Sequence, residues 1–347
     1  MDGSGSFGCR FRFCYAAGRV DILLQQLING LTLGSVYAIV ALGYTMVYGI
    51  IQLINFAHGE VVMIGAMVAF TVITALAPTG MPPLLVVAAG AACAIPVCML
   101  VAWVMERFAY RPLRRAPRLA PLITAIGVSI ILQHLAMLVW TRNVIAFPQI
   151  MQNTVHHFGG ATITSVQIAI LALCVAIMGG LALLVYRTRL GTAMRATAQN
   201  PQVAGLMGID INRVIAATFL IGAALGAVAG VMVGTYYGVA QYTMGSILGL
   251  KAFAAAVLGG IGNIPGAMVG GLLLGVVEAL GAGYIGEFTD LCRVAGISDW
   301  LARRCEADPH FILFGSNYQD VFAFVVLILV LLVRPSGLLG ERVGDRA

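Results

Sequence analysis

Two oppositely charged residues lie in a stretch of sequence that is otherwise apolar. Lys251 and Glu278 flank the turn 262–266 and are equally distant from its middle. If the flanking segments form a helical hairpin, both residues lie at one depth, roughly 20 Å from the turn at a rise of about 1.5 Å per residue. Because an unpaired charge in an apolar setting is unfavourable, the spacing predicts a buried ion pair. The alternative is that both side chains extend to the outer interface.

A second polar group separates two apolar runs and contains Asn55, His58 and Glu60. An imidazole and a carboxylate this close together could form a proton relay. The segment could also be irregular backbone at membrane depth, which is tolerated where it lines a water-filled path. We favour a structural polar turn on the cytoplasmic side.

No arrangement of residues typical of an enzyme is present, whether Ser-His-Asp, paired carboxylates or HExxH. The segment 245–251 comes nearest to a phosphate-binding loop, but its spacing is wrong and Ala252 replaces the required Ser or Thr. The seven cysteines form no CxxC pair. We therefore predict a chain without catalytic residues or a cofactor, and expect any ATP hydrolysis on a separate subunit.

The elements that position these residues are predicted from composition and charge. The chain is 60% hydrophobic and only 10% charged, whereas a soluble domain carries about 25% charged residues. Residues 61–105, 143–186 and 214–250 contain no Asp, Glu, Lys or Arg. A charge at mid-bilayer costs about 2.5–3.5 kcal/mol, so these runs indicate a polytopic membrane protein. The net charge of +6 is divided among loops, which argues against nucleic acid as a partner.

We predict an all-α bundle of about eight to ten transmembrane helices, since lipid cannot satisfy free backbone groups. The nine most apolar segments are 22–47, 60–76, 84–105, 119–141, 166–186, 214–238, 246–261, 266–284 and 318–333. Arginine-rich connections 107–118 and 187–213 are expected in the cytoplasm, as is the tail 341–347. Nine crossings place the N-terminus outside, against the three arginines of the tail 1–21. A misassigned start or a tenth crossing would remove that conflict.

Five glycines recur every fourth residue in the sixth predicted span: Gly222, Gly226, Gly230, Gly234 and Gly238. On a helix they form one smooth stripe that lets a second helix approach closely. The stripe is either a static packing seam or a surface on which helices slide during gating.

The connection 187–213 is long for a compact membrane protein and reads as short helices around Pro201. Loops of this length are usually functional. We interpret it as a docking site for a cytoplasmic partner, the alternative being a surface loop without a partner.

Five consecutive stretches cover most of residues 22–340 and carry a family likeness. They are NGLTLGSVYAIVALGYTMVYGIIQLINFAHGEVVMIGA (29–66), ERFAYRPLR (106–114), RATAQNPQVAGLMGIDINRVIAATFLIGAALGAVAG (195–230), KAFAAAVLGGIGNIPGAMVGGLLLGVVEAL (251–280) and LVRPSGLLG (332–340). In these stretches the chain resembles the permease subunits of branched-chain amino acid ABC importers.

The resemblance implies the ABC importer permease fold in the bacterial inner membrane. It also implies a second homologous permease subunit, two ATPase subunits and an extracytoplasmic substrate-binding protein. In such importers a cytoplasmic coupling helix sits in a groove of the ATPase. The matching residues here are Arg195, Ala198, Gln199, Asn200, Pro201, Ala204, Gly205, Gly208 and Ile209.

Two segments depart from the family pattern. The tail before Asp21 is extra, and the segment 286–317 is longer than expected. The predicted topology places this insert outside, where conditions are oxidising. We therefore hypothesise a disulfide between Cys292 and Cys305.

The predicted function is ATP-driven import of leucine, isoleucine and valine across the membrane. Urea, short amides or other amino acids are carried by similar permeases and remain alternatives. A stand-alone ion-coupled transporter would require intramembrane carboxylates facing a cavity. Only Glu60 and Glu278 are candidates for such a role, which makes this class the weaker one.

Overall fold

The structure is a computed structural model that describes residues 5–114, 116–117, 119–151, 153–158, 160–288 and 318–340. The helices are α1 Gly5–Ile51, α2 His58–Leu76, α3 Pro83–Val104, α4 Leu119–Val139, α5 Ser165–Arg187, α6 Arg189–Gln199, α7 Pro201–Leu206, α8 Ile211–Tyr237, α9 Met244–Gly259, α10 Ile264–Phe288 and α11 Gln319–Val333. A short 3-10 turn, Ala77–Thr79, follows α2. A π-helical turn, Met105–Tyr110, extends α3, and a second 3-10 turn, Arg111–Leu113, comes after it.

The predicted all-α membrane bundle is confirmed. Within the described ranges, seven helices are long and apolar enough to cross a membrane. Helices α9 and α11 correspond to two further predicted spans, but they have only 16 and 15 residues. At a rise of about 1.5 Å per residue, such helices extend about 24 Å, less than the roughly 30 Å of a hydrocarbon core. These two predicted spans are therefore shorter than a full crossing.

Helix α1 is longer than the sequence suggested. Residues 5–21 were expected to form a separate tail, but they continue α1, which is 47 residues long. No proline interrupts residues 5–51, so nothing in the sequence forces the helix to end. The apolar candidate span still begins at Asp21.

One end of the bundle carries the basic connections. Arg114 Nη1 donates to Asn212 Oδ1 at 2.7 Å, which joins the connection after α3 to the start of α8. Asn263 Nδ2 donates to the carbonyl oxygen of Leu339 at 2.6 Å, which joins the α9–α10 turn to the segment after α11. The positive-inside rule predicts that this end, called the cytoplasmic end below, faces the cytoplasm.

The opposite end carries four short strands. They are β1 Ile145–Ala146, β2 Val155–Phe158, β3 Ala161–Thr164 and β4 Val239–Ala240. β1 pairs antiparallel with β4, and β2 with β3. The backbone N–H of Thr162 donates to Gln25 Oε1 at 2.8 Å and so fixes the β2–β3 hairpin against α1.

Helices differ strongly in how much of their surface the chain itself covers. The most apolar part of the α1 span is 83% buried, whereas that of α4 is 11% buried. Large apolar side chains such as Leu138 and Val175 point outward from α4 and α5. Such surfaces suit lipid or another membrane subunit, and α1 and α8 form the core that positions the sites described below.

Candidate functional site

Lys251 and Glu278 meet inside the bundle. Lys251 Nζ lies 2.7 Å from Glu278 Oε1, and the exposed fractions of the two residues are 8% and 1%. Tyr37 OH on α1 donates to Glu278 Oε2 at 2.9 Å. Lys251 Nζ also lies 2.6 Å from Asp320 Oδ1 at the start of α11. This group of four residues, the ion cluster, therefore connects α1, α9, α10 and α11.

The sequence predicted the contact between two of the four members of the ion cluster, Lys251 and Glu278. Tyr37 and Asp320 were missed because they lie on other helices, far away in the chain. One signal was available for Asp320, which begins the last apolar segment and so belongs at the outer end. The carboxylates of Glu278 and Asp320 share the ammonium group of Lys251. Lys251 therefore pairs both acids in a low-dielectric setting.

Asn55, His58 and Glu60 are all buried, so the favoured interpretation of a structural polar turn on the cytoplasmic side is wrong in its position. The turn is the irregular segment 52–57, and His58 and Glu60 already belong to α2. Tyr110 OH donates to Asn55 Oδ1 at 2.6 Å. The three side chains are held among neighbouring helices and do not face the cytoplasm.

Glu60 connects α2 to the otherwise exposed helix α4. Its Oε1 accepts hydrogen bonds from Ser129 Oγ at 3.0 Å and from Gln133 Nε2 at 2.7 Å. Ser129 lies about halfway along α4. No spacing in the sequence indicates these partners, because α2 and α4 are not neighbours in the chain.

Helix α2 begins well inside the bundle. A Cβ added to Gly43 would collide with the imidazole of His58, so the two residues lie side by side. Gly43 is eight residues before Ile51, the last residue of α1, which corresponds to about 12 Å along the helix axis. The segment 52–57 thus returns into the bundle, in agreement with the alternative of irregular backbone at membrane depth.

Most glycines of the α8 stripe pack closely against a neighbouring helix or side chain. Gly222 lies beside Gly43 and His58, and a Cβ on Gly230 would collide with the carbonyl oxygen of Val62. At Gly226 a Cβ would make only ordinary contacts, the nearest at 3.4 Å from Val62. Gly234 packs against the ring of Phe147, and Gly238 ends the helix with φ +68°. The stripe is a close packing seam with α1 and α2, and sliding along it stays a prediction.

The predicted coupling loop folds as two short helices between α5 and α8. Thr188 caps α6, Asn200 caps α7 and Asp210 caps α8, each by accepting backbone N–H groups. Gly208 has φ +85°, a conformation that glycine adopts at little cost. These caps define the path of the loop on the cytoplasmic side.

Most of the coupling-loop residues singled out from the sequence are accessible. The exposed ones are Gln199, Asn200, Pro201, Gly205 and Gly208, the half-buried ones are Arg195, Ala198 and Ile209, and Ala204 is buried. Arg195 Nη1 donates to the carbonyl oxygen of Val185, and its guanidinium lies 5.6 Å from the centre of the Tyr186 ring. Arg195 therefore fixes α6 to the end of α5.

Two large apolar side chains on this loop face solvent and were missed by the sequence analysis. Leu206 is 87% exposed and Met207 78% exposed, at the end of α7. Val203, on the same short helix, is 52% exposed. Clustered exposed apolar side chains usually mark a binding surface.

A further ion pair lies within the segment that follows α3. Arg114 Nη2 contacts Glu106 Oε1, while its Nη1 binds Asn212 as described above. Burial lowers the pKa of the Arg114 guanidinium, and the adjacent Glu106 carboxylate opposes that shift. The pair positions the start of α8, and hence the end of the coupling loop.

Several sequence predictions fall on other parts of the chain. Cys292 and Cys305, with the proposed disulfide, lie outside the described residues. Of the predicted external insert 286–317, residues 286–288 extend α10 and the remainder also lies outside them, as does the tail 341–347. Among the described residues, no three His, Cys, Asp or Glu side chains are grouped as metal ligands.

Comparison with known sequences finds a family match along most of the chain. The family described as "branched-chain amino acid transport system / permease component" matches residues 26–331. The chain is 49% identical to the high-affinity branched-chain amino acid transport system permease protein BraD of Pseudomonas aeruginosa, over 92% of this chain and 96% of that protein. No solved structure matches.

Two further relatives show how widely the similarity extends. The chain is 46% identical to the permease protein LivH of Escherichia coli K12, over 92% of this chain and 96% of that protein. It is 27% identical to a probable LivH of Methanocaldococcus jannaschii, over 92% of this chain and 94% of the relative. The similarity thus reaches from bacteria to an archaeon over nearly the full length of each protein.

Proposed function

We propose, from the premise that this chain belongs to the family of permease components of branched-chain amino acid transport systems, that it carries leucine, isoleucine and valine across the bacterial inner membrane. The observation that carries the proposal is 49% identity to BraD over 92% of the chain. Seven candidate spans in the described part of the chain agree with it. The protein is a multi-pass membrane permease subunit.

The energy for transport comes from separate ATPase subunits in this proposal. The chain offers them the coupling loop, with Leu206 and Met207 exposed on the cytoplasmic side. Exposed apolar side chains that become buried on docking contribute free energy in proportion to the apolar area removed from water. Closure of the ATPases would move the loop, and α5 and α8 transmit that movement because the loop is bonded to both.

Two more partners complete the proposed importer. A second homologous permease subunit covers part of the exposed apolar surface of α3, α4 and α5, of which only 11–22% is buried within this chain. An extracytoplasmic binding protein delivers the substrate to the end that carries the four strands. The binding protein selects the substrate, so urea, short amides and other amino acids are the alternatives to be tested.

Substrate uptake by the complete importer tests this proposal. Vesicles containing both permease subunits, both ATPases and the binding protein are expected to accumulate radiolabelled leucine, isoleucine and valine when ATP is supplied. Unlabelled isoleucine should compete with leucine, whereas unlabelled urea and acetamide should not. Uptake of urea or acetamide without uptake of leucine would contradict the substrate assignment while leaving the membrane architecture unchanged.

A further inference from the structure

Two helices begin inside the bundle without a side chain that caps them. Helix α2 starts at His58 and α9 at Met244, and neither has a side-chain hydrogen bond at its N-cap. The four helices from α5 to α8 are capped instead by Thr164, Thr188, Asn200 and Asp210. The first N–H groups of a helix have no intrahelical partner, so a buried N-terminus needs a partner of another kind. At α2 the backbone carbonyls of the preceding turn accept from His58 and Glu60, whereas at α9 a preceding carbonyl accepts only from Met244.

The two uncapped N-termini cross at glycines. Gly59 in the first turn of α2 lies against Gly245 in the first turn of α9, close enough that a Cβ on Gly59 would collide with the Gly245 carbonyl oxygen. A Cβ on Gly249 would lie 2.9 Å from Gly59 Cα. Each helix N-terminus carries about half a positive charge. Two such ends in contact make a favourable place for an anionic group.

A buried carboxylate oxygen without a partner points into this crossing. Glu60 is 0% exposed. Its Oε1 is bound by Ser129 and Gln133, but its Oε2 has no hydrogen-bond partner among the described residues. A Cβ on Gly245 would lie 2.6 Å from Glu60 Oε2, so this oxygen faces the first turn of α9. The crossing therefore holds both a negative group and two positive helix ends.

Two separate spaces lie between the crossing and the cytoplasmic end, and Tyr48 lines both of them. A pocket of about 240 Å³ at that end is lined by residues that include Gln52, Arg114 and Tyr48. Tyr48 also lines a smaller space with Tyr44 and Ala256. Tyr44 in turn reaches the crossing, because its OH lies 3.0 Å from where a Cβ on Gly249 would be.

Aromatic rings cluster beside the smaller space, which Tyr44 and Phe253 both line. The ring of Phe253 lies 6.1 Å from that of Tyr44 and 5.6 Å from that of Phe56, measured between centroids. All three rings come from segments that adjoin the crossing. A displacement of α9 against α2 would move Phe253 and so change the smaller space.

We propose that the crossing of α2 and α9 is the inner gate of the substrate path, and that it binds the charged head of an amino acid zwitterion. Glu60 Oε2 accepts hydrogen bonds from the α-ammonium group. The N–H groups that follow Met244 in the first turn of α9 bind the α-carboxylate. The aliphatic side chain lies against the aromatic rings of Tyr44 and Phe253.

The inference deepens the proposed function and rests on it. Permeases for uncharged solutes such as urea would not need groups of both signs at this point. The glycines allow the two helices to return to backbone contact after each passage. Transient binding here is compatible with selection by the binding protein, since the site acts on a substrate that has already been admitted.

Accessibility of a cysteine beside the path tests the gate. Ala256 lines the small space, whereas the adjacent Ala255 packs towards Gly270 on α10, and the two are 1% and 0% exposed. Ala256→Cys and Ala255→Cys are compared in the complete importer, in a chain lacking its seven native cysteines. A cationic, membrane-impermeant thiol reagent is added from the cytoplasmic side. During ATP turnover, Cys labelling at 256 should exceed that at 255 about tenfold or more, as expected for a group moved from core to water. Equal labelling at both positions in every state would overturn the gate.

Protection by substrate tests the role of Glu60. Leucine delivered by the binding protein should slow labelling in the Ala256→Cys chain. With Glu60→Gln added, labelling during turnover should persist, leucine should no longer protect, and uptake should fall about tenfold, as expected for the loss of a charged hydrogen-bond partner. If Glu60 had only a structural role, Glu60→Gln would lower thiol labelling at position 256 and assembly of the importer. Protection by leucine would then be unchanged. Undiminished protection in Glu60→Gln would overturn the ligand assignment.

The two proposals fail in distinguishable ways. Absence of leucine uptake by the unmodified importer contradicts the branched-chain substrate. Leucine uptake with no difference between positions 255 and 256 contradicts only the gate at the α2–α9 crossing.

Discussion

Replacing Lys251 with methionine is expected to destabilise the folded chain by about 3–5 kcal/mol, because it leaves a buried charge uncompensated. Glu278 is 1% exposed and has Lys251 Nζ 2.7 Å from its Oε1. Asp320 shares the same ammonium group at 2.6 Å. Removal of the lysine therefore leaves two neighbouring carboxylates without a cation from the described part of the chain. The free energy of unfolding in mixed micelles, measured by titration with a denaturing detergent, checks this prediction.

Two control variants separate the buried pair from a surface effect. Lys251→Met combined with Glu278→Gln removes both charges, and should recover much of the lost stability. Arg213→Met breaks a pair with Asp210 whose side chains are 89% and 49% exposed, and should change stability by less than about 1 kcal/mol. If Lys251→Met is no more destabilising than Arg213→Met, the ion cluster does not stabilise the bundle.

Asp320 also affects the stability expected when the charges of Lys251 and Glu278 are exchanged. Exchanging the two residues, Lys251→Glu with Glu278→Lys, would restore a simple pair. It would also place a new carboxylate beside Asp320. We therefore expect the exchange to recover only part of the stability that either single replacement loses, and Asp320→Asn in addition to increase the recovery.

Introducing aspartate at Leu206 is expected to abolish most ATP-driven uptake without unfolding the chain. The side chain is 87% exposed on a short cytoplasmic helix, so its replacement disturbs no internal packing. An anchor residue at an interface contributes about 2 kcal/mol or more, which corresponds to a loss of more than about tenfold in affinity. Uptake of leucine and co-purification of the ATPases, measured on the same preparations, check this prediction.

Thr192→Asp is the matched control for the coupling loop. Thr192 is exposed on α6 of the same loop, but it lies outside the residues proposed to enter the ATPase groove. The variant introduces the same charge and should retain both uptake and co-purification. Full co-purification and uptake with Leu206→Asp would contradict docking through α7, and so would an equal loss with Thr192→Asp.

Features that depend on spacing along one or two adjacent helices could be predicted from the sequence. Charge-free runs indicated the membrane bundle because charge at mid-bilayer is costly. The positions of Lys251 and Glu278 about the hairpin turn indicated their contact, because a helix rises by a constant amount per residue. Both inferences need only local geometry and the energetics of charge in lipid.

Features that depend on contact between distant helices could not be predicted in this way. Nothing in the spacing of Glu60 indicates Ser129 and Gln133 as its partners, because they lie on another helix far along the chain. The inward return of segment 52–57 was left as an alternative for the same reason. Its depth is set by packing of His58 between α1 and α8, and local sequence does not encode that contact.

The length of α9 illustrates a further limit. Its apolar residues predicted a full span, but irregular backbone precedes it and Gly260 with φ +104° ends it after 16 residues. Hydropathy reports burial in an apolar setting and does not distinguish lipid from the interior of the bundle. Ten of the sixteen residues of α9 are buried within the chain. The apolar composition of this helix therefore reflects burial inside the bundle and not contact with lipid.

ATP dependence of leucine uptake tests the central claim most directly. Sealed vesicles are prepared with the complete importer or with every subunit except this chain, and leucine accumulation is measured with ATP, without ATP, and with an imposed proton or sodium gradient alone. A permease subunit of an ATP-driven importer predicts accumulation only when this chain and ATP are both present. Accumulation driven by an ion gradient without ATP, or unchanged when the chain is omitted, would contradict it.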